Sequence, residues 1–231
     1  MVDAVEGVAK NPRAMEDNRT FRPGIEEYAT AHTSAEPDEL RAVEDETRQM
    51  FPERQTMLTG MLEGRFLKML VELVQPQLVV EVGTFTGYSA LAMAEGLPPG
   101  GRVITLELSG RHAAIAQRNI DSSPHRDRIE VRQGPAIESL ERIEGPIDFA
   151  FIDADKTNYQ GYFDAILARL SPHGLIAIDN VLWYGRPLDS SDQSEDTVAI
   201  RAFNDRLATD GRVEAVMLTV RDGVTLVRRR S

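Results

Sequence analysis

The 231-residue chain contains no cysteine. That excludes disulfides, thiolate zinc sites, iron–sulfur clusters and a thiol nucleophile. Histidine is scarce as well: with four in the whole chain, a histidine-rich metal centre is not expected. A bound metal would have to be held mostly by oxygen, which points to Mg2+, Mn2+ or Ca2+. No apolar run reaches the roughly 18 residues a membrane span needs. The N-terminal stretch is acidic and lacks an apolar centre, so it does not read as a signal peptide, and a cytoplasmic location is expected. Positive charge is in short supply, with 26 Lys and Arg against 37 Asp and Glu, a net charge of −11. Such a balance argues against nucleic acid and anionic membrane surfaces as partners. Tryptophan occurs once, at Trp183.

What remains is a soluble-type composition, 42% hydrophobic and 27% charged, on a chain long enough for one large α/β domain. Residues 1–23 are polar and weakly patterned and are expected to form a flexible arm. Residues 24–231 are expected to form a single domain, with helices over 24–75 and an α/β core over 76–231. Met61, Leu62, Phe66, Leu67, Leu70, Val71 and Val74 recur at helical spacing, and Pro76 ends that stripe. From residue 77 short apolar runs alternate with amphipathic stretches. Strands are predicted over 78–83, 102–108, 128–134, 147–154 and 174–180, with helices between them; Ser109 is a candidate N-cap. This βαβ order predicts a parallel sheet covered by helices on both faces. Right-handed crossovers align the strand C-termini along one edge, where such sheets bind ligands. Residues 213–220 and 224–230, joined through Arg221-Asp222-Gly223, predict a hairpin. Residues 185–197 read as a loop over the ligand edge. His112 and His125 are expected at exposed helix and loop positions.

The polar residues at the strand ends carry the chemistry. Gly83 and Gly87 bracket the first strand-to-helix turn and would let a ligand approach the backbone, or simply allow a tight turn. Their spacing is not Gly-x-Gly-x-x-Gly, so the dinucleotide fingerprint is absent. Glu81 stands before the turn and suits a cationic ligand better than a pyrophosphate. Glu107 ends the second strand 24 residues after Gly83. An acid there holds ribose hydroxyls in nucleoside-binding sheets; otherwise it is a solvated strand end. Strand four closes in Asp153-Ala154-Asp155-Lys156 and strand five in Asp179-Asn180. Oxygen from Asp153, Asp179 and Asn180 fits an octahedral Mg2+-type site.

Taken in order, several segments carry a family resemblance. They are Met57-x-Thr59, Glu63-Gly64-x-Phe66-Leu67, VVEVGTFTGYSALAMA, Glu107, Gly134-Pro135-Ala136, IDFAFIDADKTNY, AIDNVLW and RDGVTLVRRR. Across residues 24–231 the chain resembles the cation-dependent class I O-methyltransferases, the group of catechol and caffeoyl-CoA O-methyltransferases. Within that group it is more similar to the bacterial small-molecule branch, because 185–197 is shorter and more acidic than the plant insertion.

The resemblance implies a Rossmann-like fold: a mostly parallel seven-stranded sheet with an antiparallel C-terminal strand and extra N-terminal helices. It implies S-adenosylmethionine as donor, lined by Met57, Thr59, Glu81, Gly83, Ser89, Glu107, Ala136, Asp153 and Asp155. It implies a divalent cation (Mg2+, or Mn2+ or Ca2+) on Asp153, Asp179 and Asn180, Lys156 as general base and Trp183 as a wall for a small phenolic acceptor. A homodimer is expected on the same ground and from apolar faces on the N-terminal helices. Three alternatives stay open: a metal-independent methyltransferase, a donor-binding protein without turnover, and a nicotinamide oxidoreductase. The last is disfavoured by the missing fingerprint and the terminal hairpin.

Overall fold

The computed structural model describes residues 24–230, and the arm expected over 1–23 lies outside the described residues. The described residues divide into two compact units after Thr33. To the first belongs a short helix, α1 (Ile25–Ala31), which starts after Gly24. Its Tyr28 ring stacks on His32, and the Tyr28 carbonyl lies 2.7 Å from the His32 Nδ1.

The second unit opens with helices α2 (Asp38–Met50) and α3 (Gly60–Val74), separated by a 3-10 segment, Pro52–Met57. Helix α3 buries Leu67, Leu70 and Val71, the stripe expected from its spacing, and Gln75 in left-handed conformation stops it just before Pro76. Strands and helices then alternate: β1 (Leu78–Val82), α4 (Tyr88–Glu95), β2 (Arg102–Glu107), α5 (Gly110–Asp121), β3 (Ile129–Gln133) and α6 (Ala136–Glu141). After them come β4 (Ile147–Ile152), α7 (Tyr159–Arg169), β5 (Leu170–Ile178), α8 (Glu195–Thr209) and the hairpin β6 (Val213–Leu218) and β7 (Val224–Arg229). Ser109 caps α5 as expected, its side chain accepting from the His112 N–H. No helix among the described residues is long and apolar enough to cross a membrane.

The sheet has seven strands in the order β3-β2-β1-β4-β5-β7-β6. All neighbours from β3 to β5 are parallel, and β7 is antiparallel to both β5 and β6. The expected fold is therefore present, and the order in which the chain adds strands reverses between the parallel neighbours β1 and β4, the place where ligands bind in such folds. Strand alternation divides the core in two. Leu78, Val80 and Val82 of β1 face a layer with Tyr159, Phe163, Ile166, Ile200 and Phe203. Val79 faces the opposite layer with Leu67, Val71, Tyr88, Leu91 and Ile120. Each such side chain contributes roughly 1.5–3 kcal/mol when fully buried.

Two readings of local structure need correction. Helix α8 begins inside the stretch read as loop: Ser194 precedes an acidic first turn, and Thr197, Ile200, Phe203 and Leu207 are buried. The polar run 185–197 masked that pattern, because most of its residues form turns braced by Arg201, which donates to the carbonyls of Pro187, Asp189 and Asp192. Strand β5 begins at Leu170, opposite Ile147, rather than at residue 174, and Pro172 lies within it. Residues 171–174 stand opposite the single residue Asp148 before pairing resumes at Leu175. A bulge accommodates a proline that has no N–H for the ladder.

Gly83 shows why the first turn needs glycine. Its φ is +96°, and a Cβ there would lie 1.9 Å from the Asp153 carbonyl oxygen. The missing side chain is thus filled by the neighbouring strand end, so close strand packing by itself accounts for glycine here. Gly83→Ala is expected to lose roughly 2–5 kcal/mol, from left-handed strain plus overpacking. Gly145, with φ +84° and open space around its Cβ position, isolates the strain: Gly145→Ala should cost about 1–2 kcal/mol. Urea unfolding of both variants checks this, and equal losses would remove the steric contribution.

Candidate functional site

Two groups of side chains meet at the carboxyl edge. The first hangs from β1 and β2. Glu81 shares the face of Val79 and is completely buried beneath α4. Its Oε2 accepts from the Thr105 hydroxyl at 2.5 Å, and the Ser89 side chain also bonds to it. Its Oε1 is buried with no partner. Burial raises the Glu81 carboxyl to about 8. The Thr105 hydroxyl meets that of Thr84 at 2.5 Å, and the Thr84 N–H donates to Glu107. Glu107 also accepts from the N–H groups of Phe85 (2.8 Å) and Ser109 (2.8 Å). A continuous hydrogen-bonded path therefore runs from Glu81 to Glu107 through the glycine turn. It fixes both acids rigidly, and Glu107 keeps part of the roughly four lone-pair sites of a carboxylate for a ligand.

His112 lies beside this group and is half-buried, not exposed. Its ring packs edge-on against Phe85 (5.0 Å) and Phe51 (5.5 Å). Burial holds its imidazole below the usual value, against the pull of Glu107 at 3.7 Å. His125 is likewise half-buried. Helical spacing could not show that Phe51, from a separate segment, covers the His112 face.

The second group gathers around Lys156. Its Nζ is buried and donates to Asp153 Oδ1 (3.2 Å), Asn180 Oδ1 (2.8 Å) and the Tyr159 hydroxyl (2.5 Å). The Tyr159 hydroxyl in turn donates to the Asp179 carbonyl at 3.0 Å. The ammonium also faces the rings of Tyr159 (4.7 Å) and Trp183 (5.4 Å). Asp179 is buried and raised to about 7 by burial and by Asp153. Glu63, from α3, bonds to Asp179 and is pushed well above the carboxylate range by burial and by the charges of Asp179 and Asp153. Its Oε2 lies 3.5 Å from Arg221, and its Oε1 has no partner.

The structure thus brings together Glu81, Gly83, Ser89 and Glu107 on one side, and Asp153, Lys156, Asp179, Asn180 and Trp183 on the other. Thr59 is buried at the start of α3. Met57 is 46% exposed, and Ala136 packs against the apolar core. Asp155 points away from Lys156: its carboxylate accepts from Tyr162 (2.6 Å), Thr157 and Asn158. Sequence reasoning gave no role to Glu63, Tyr159 or Asp222. The signal for Glu63 was available, since a charged residue falls on the buried stripe of α3 with Leu67 and Leu70. Among the described residues no three His, Asp or Glu side chains form a metal-ligating cluster. The oxygen set is two carboxylates completed by the Asn180 amide. That set fits a cation, because its donors are oxygens and the Lys156 ammonium already bridges two of its members.

A family profile described as O-methyltransferase matches residues 30–230. The chain is 40% identical over 160 residues to a catechol O-methyltransferase of Niastella koreensis, covering 68% of this chain and 72% of the relative. It is 37% identical over 185 residues to caffeoyl-CoA O-methyltransferase 2 of Zea mays, covering 75% and 70%. Its fold matches the O-methyltransferase from Bacillus cereus, solved in complex with SAH, with a TM-score of 0.81 at 33% identity, over 90% of this chain and 97% of that one.

The Glu81 environment has a direct consequence for stability. A carboxyl raised from 4.5 to about 8 keeps its proton in the fold while the unfolded chain loses it. The resulting stabilisation is complete below pH 4.5 and is lost as pH rises to about 8. Glu81→Gln should therefore gain on the parent across that window, by up to about 1.4 kcal/mol per pH unit. Urea unfolding at pH 5 and pH 8 measures the difference, and a difference independent of pH would contradict a buried, protonated Glu81.

Proposed function

Because the chain belongs to the O-methyltransferase family, we propose that it moves the methyl group of S-adenosylmethionine to a hydroxyl of a catechol-type small molecule, assisted by a divalent cation. The observation that carries this reading is the convergence of Asp153 and Asn180, from two strand ends, on the buried Lys156 ammonium. Asp153, Asp179 and Asn180 would hold the cation, with Mg2+ the natural choice for an oxygen donor set. When bound, it would supply Lewis acidity that favours the ionised form of a vicinal hydroxyl pair.

The chain's own residues do the rest. Glu107, held by three backbone N–H groups, accepts from the donor's ribose hydroxyls. Glu81, with its unpartnered buried oxygen, lies among the residues that line the donor in this reading. Met57, Thr59, Gly83, Ser89, Ala136 and Asp155 complete the donor's surroundings in this reading. Lys156, as the neutral amine left once the ammonium has released a proton to solvent, is the group placed to receive the proton of the acceptor hydroxyl, and Trp183 forms the wall beside it. The acceptor oxygen then attacks the methyl carbon in line with sulfur. The new C–O bond takes the oxygen's pair, the C–S bond breaks, and the sulfonium becomes a neutral thioether. Holding the three atoms in line is the largest part of the fold's contribution.

The test is turnover of a simple catechol with labelled donor. Chelation should abolish it, added Mg2+ or Mn2+ should restore it, and Asp179→Ala should be severely impaired. Lys156→Ala should lose roughly 10²–10⁴ in kcat with donor affinity retained. Full turnover in excess chelator would overturn the cation's role.

The same reading includes a homodimer. Helix α3 leaves Met69 and Leu73, one turn apart, 58% and 76% exposed, an apolar face that a second copy would cover. Light scattering at micromolar concentration should give twice the chain mass, and the mass of one chain would remove the dimer.

A further inference from the structure

The turn between β6 and β7 reaches into the site. Arg221 is left-handed at φ 47°, and Gly223 follows at φ 86°. The Gly223 carbonyl accepts from the Val181 N–H (3.2 Å), and the Asp222 carbonyl accepts from the Leu182 N–H (2.9 Å). The Asp222 side chain goes further: its Oδ1 accepts from the Tyr184 N–H at 2.6 Å. Its Oδ2 is buried without a partner. A Cβ at Gly223 would lie 2.4 Å from Leu182, so the turn and the 181–184 segment are pressed together. From the other side, Asn204 of α8 donates to the Val181 carbonyl at 2.8 Å.

The segment so held is strained. Asn180, Trp183 and Tyr184 have φ of 56°, 44° and 55°, the left-handed region, and none is glycine. Bulky residues stay in that region only where their surroundings over-determine it. Tyr184 is 61% exposed, so burial of its own side chain does not supply the constraint. The bond from its N–H to Asp222 adds to the turn's own backbone bonds, from the Trp183 N–H to the Asn180 carbonyl (3.2 Å) and from the Gly185 N–H to the Leu182 carbonyl (2.8 Å). Among the described residues it alone ties Tyr184 to the neighbouring hairpin turn. Trp183, next to it, presents its ring to Lys156 at 5.4 Å.

We propose that Asp222 is a positioning residue: by accepting the Tyr184 N–H it holds Trp183–Tyr184 left-handed and so sets the wall against which an acceptor lies. The consequence for acceptors rests on the O-methylation reading, whereas the placement of Trp183 does not. An acceptor bound between Lys156 and the Trp183 ring would feel any rotation of that ring as lost affinity, while the donor, on the β1–β2 side, would not. What matters at 222 is an oxygen at the right reach, not a charge.

The chain's sole tryptophan makes this measurable. Emission of Trp183 and its quenching by acrylamide, recorded without any substrate, report the placement of the ring. Asp222→Ala should shift the emission and increase quenching. It should raise KM for a catechol about tenfold, the worth of one strong hydrogen bond, with unchanged affinity for S-adenosylhomocysteine. Asp222→Asn, which keeps an accepting oxygen, should restore both the emission and the KM. In the unsubstituted protein the Tyr184 amide should be protected from hydrogen exchange despite its exposed side chain, which decides the matter even if Asp222→Ala does not fold. An unprotected Tyr184 amide, a parental emission in Asp222→Ala, or Asn as damaging as Ala would each overturn the positioning role. If no catechol is turned over by the parent protein, the O-methylation reading falls, while exchange and emission still decide the placement of Trp183.

Discussion

A single buried ammonium organises the carboxyl edge of the sheet. Lys156 spends its donors on Asp153, Asn180 and Tyr159 and lies against two aromatic rings. Those partners come from the ends of β4 and β5 and from the start of α7, so one side chain ties three elements. Burying a charge is expensive unless it is fully paired. Here the lysine is paired, and acids surround it: burial and Asp153 displace Asp179 upward, and burial with the charges of Asp179 and Asp153 displaces Glu63 upward. The backbone is left-handed at Asn180 and Trp183, where the amide oxygen and the indole turn toward the same ammonium.

The β1–β2 side obeys a different constraint. There the acids do not face a cation of the chain. They are joined through Thr105, Thr84 and the backbone of the glycine turn. That path leaves no rotamer freedom at Glu81 or Glu107, so a ligand meeting them would not have to order them. The requirement for glycine at 83 arises from the same compactness, because the Asp153 carbonyl occupies the place of a side chain.

Much of this was legible in the chain. Apolar runs of strand length, broken by amphipathic stretches, mark all five parallel strands, and the acids that close them stand where the topology predicts a ligand edge. The reverse hairpin was equally plain from its two β-rich runs and the Arg221-Asp222-Gly223 turn. Helix α8 was hidden because its first turn is as polar as the loop before it, and only Ile200, Phe203 and Leu207 betray its face. The early start of β5 was hidden by Pro172, which reads as a terminator and instead sits in a bulge. Contacts between distant segments lay beyond any periodicity: Phe51 on His112, Arg221 beside Glu63, and Asp222 on Tyr184. Each joins residues that nothing in local spacing connects.

The position of β7 has a consequence for how the molecule is assembled. It follows β6 in sequence yet lies between β6 and β5, so β6 has no partner in the sheet until residues 224–229 arrive. A chain emerging from the ribosome N-terminus first can build β1 to β5 and their helices before residues 213–229 are made, since every parallel pairing lies among those five strands. It must then hold β5 with one open edge, and keep β6 waiting, until the last strand slides between them. The turn that braces Val181–Tyr184 travels with that strand. The 181–184 segment thus gains its brace only when residues 224–229 join the sheet, so a nascent chain would have the Glu81–Glu107 path formed before the Trp183 side opposite it is held.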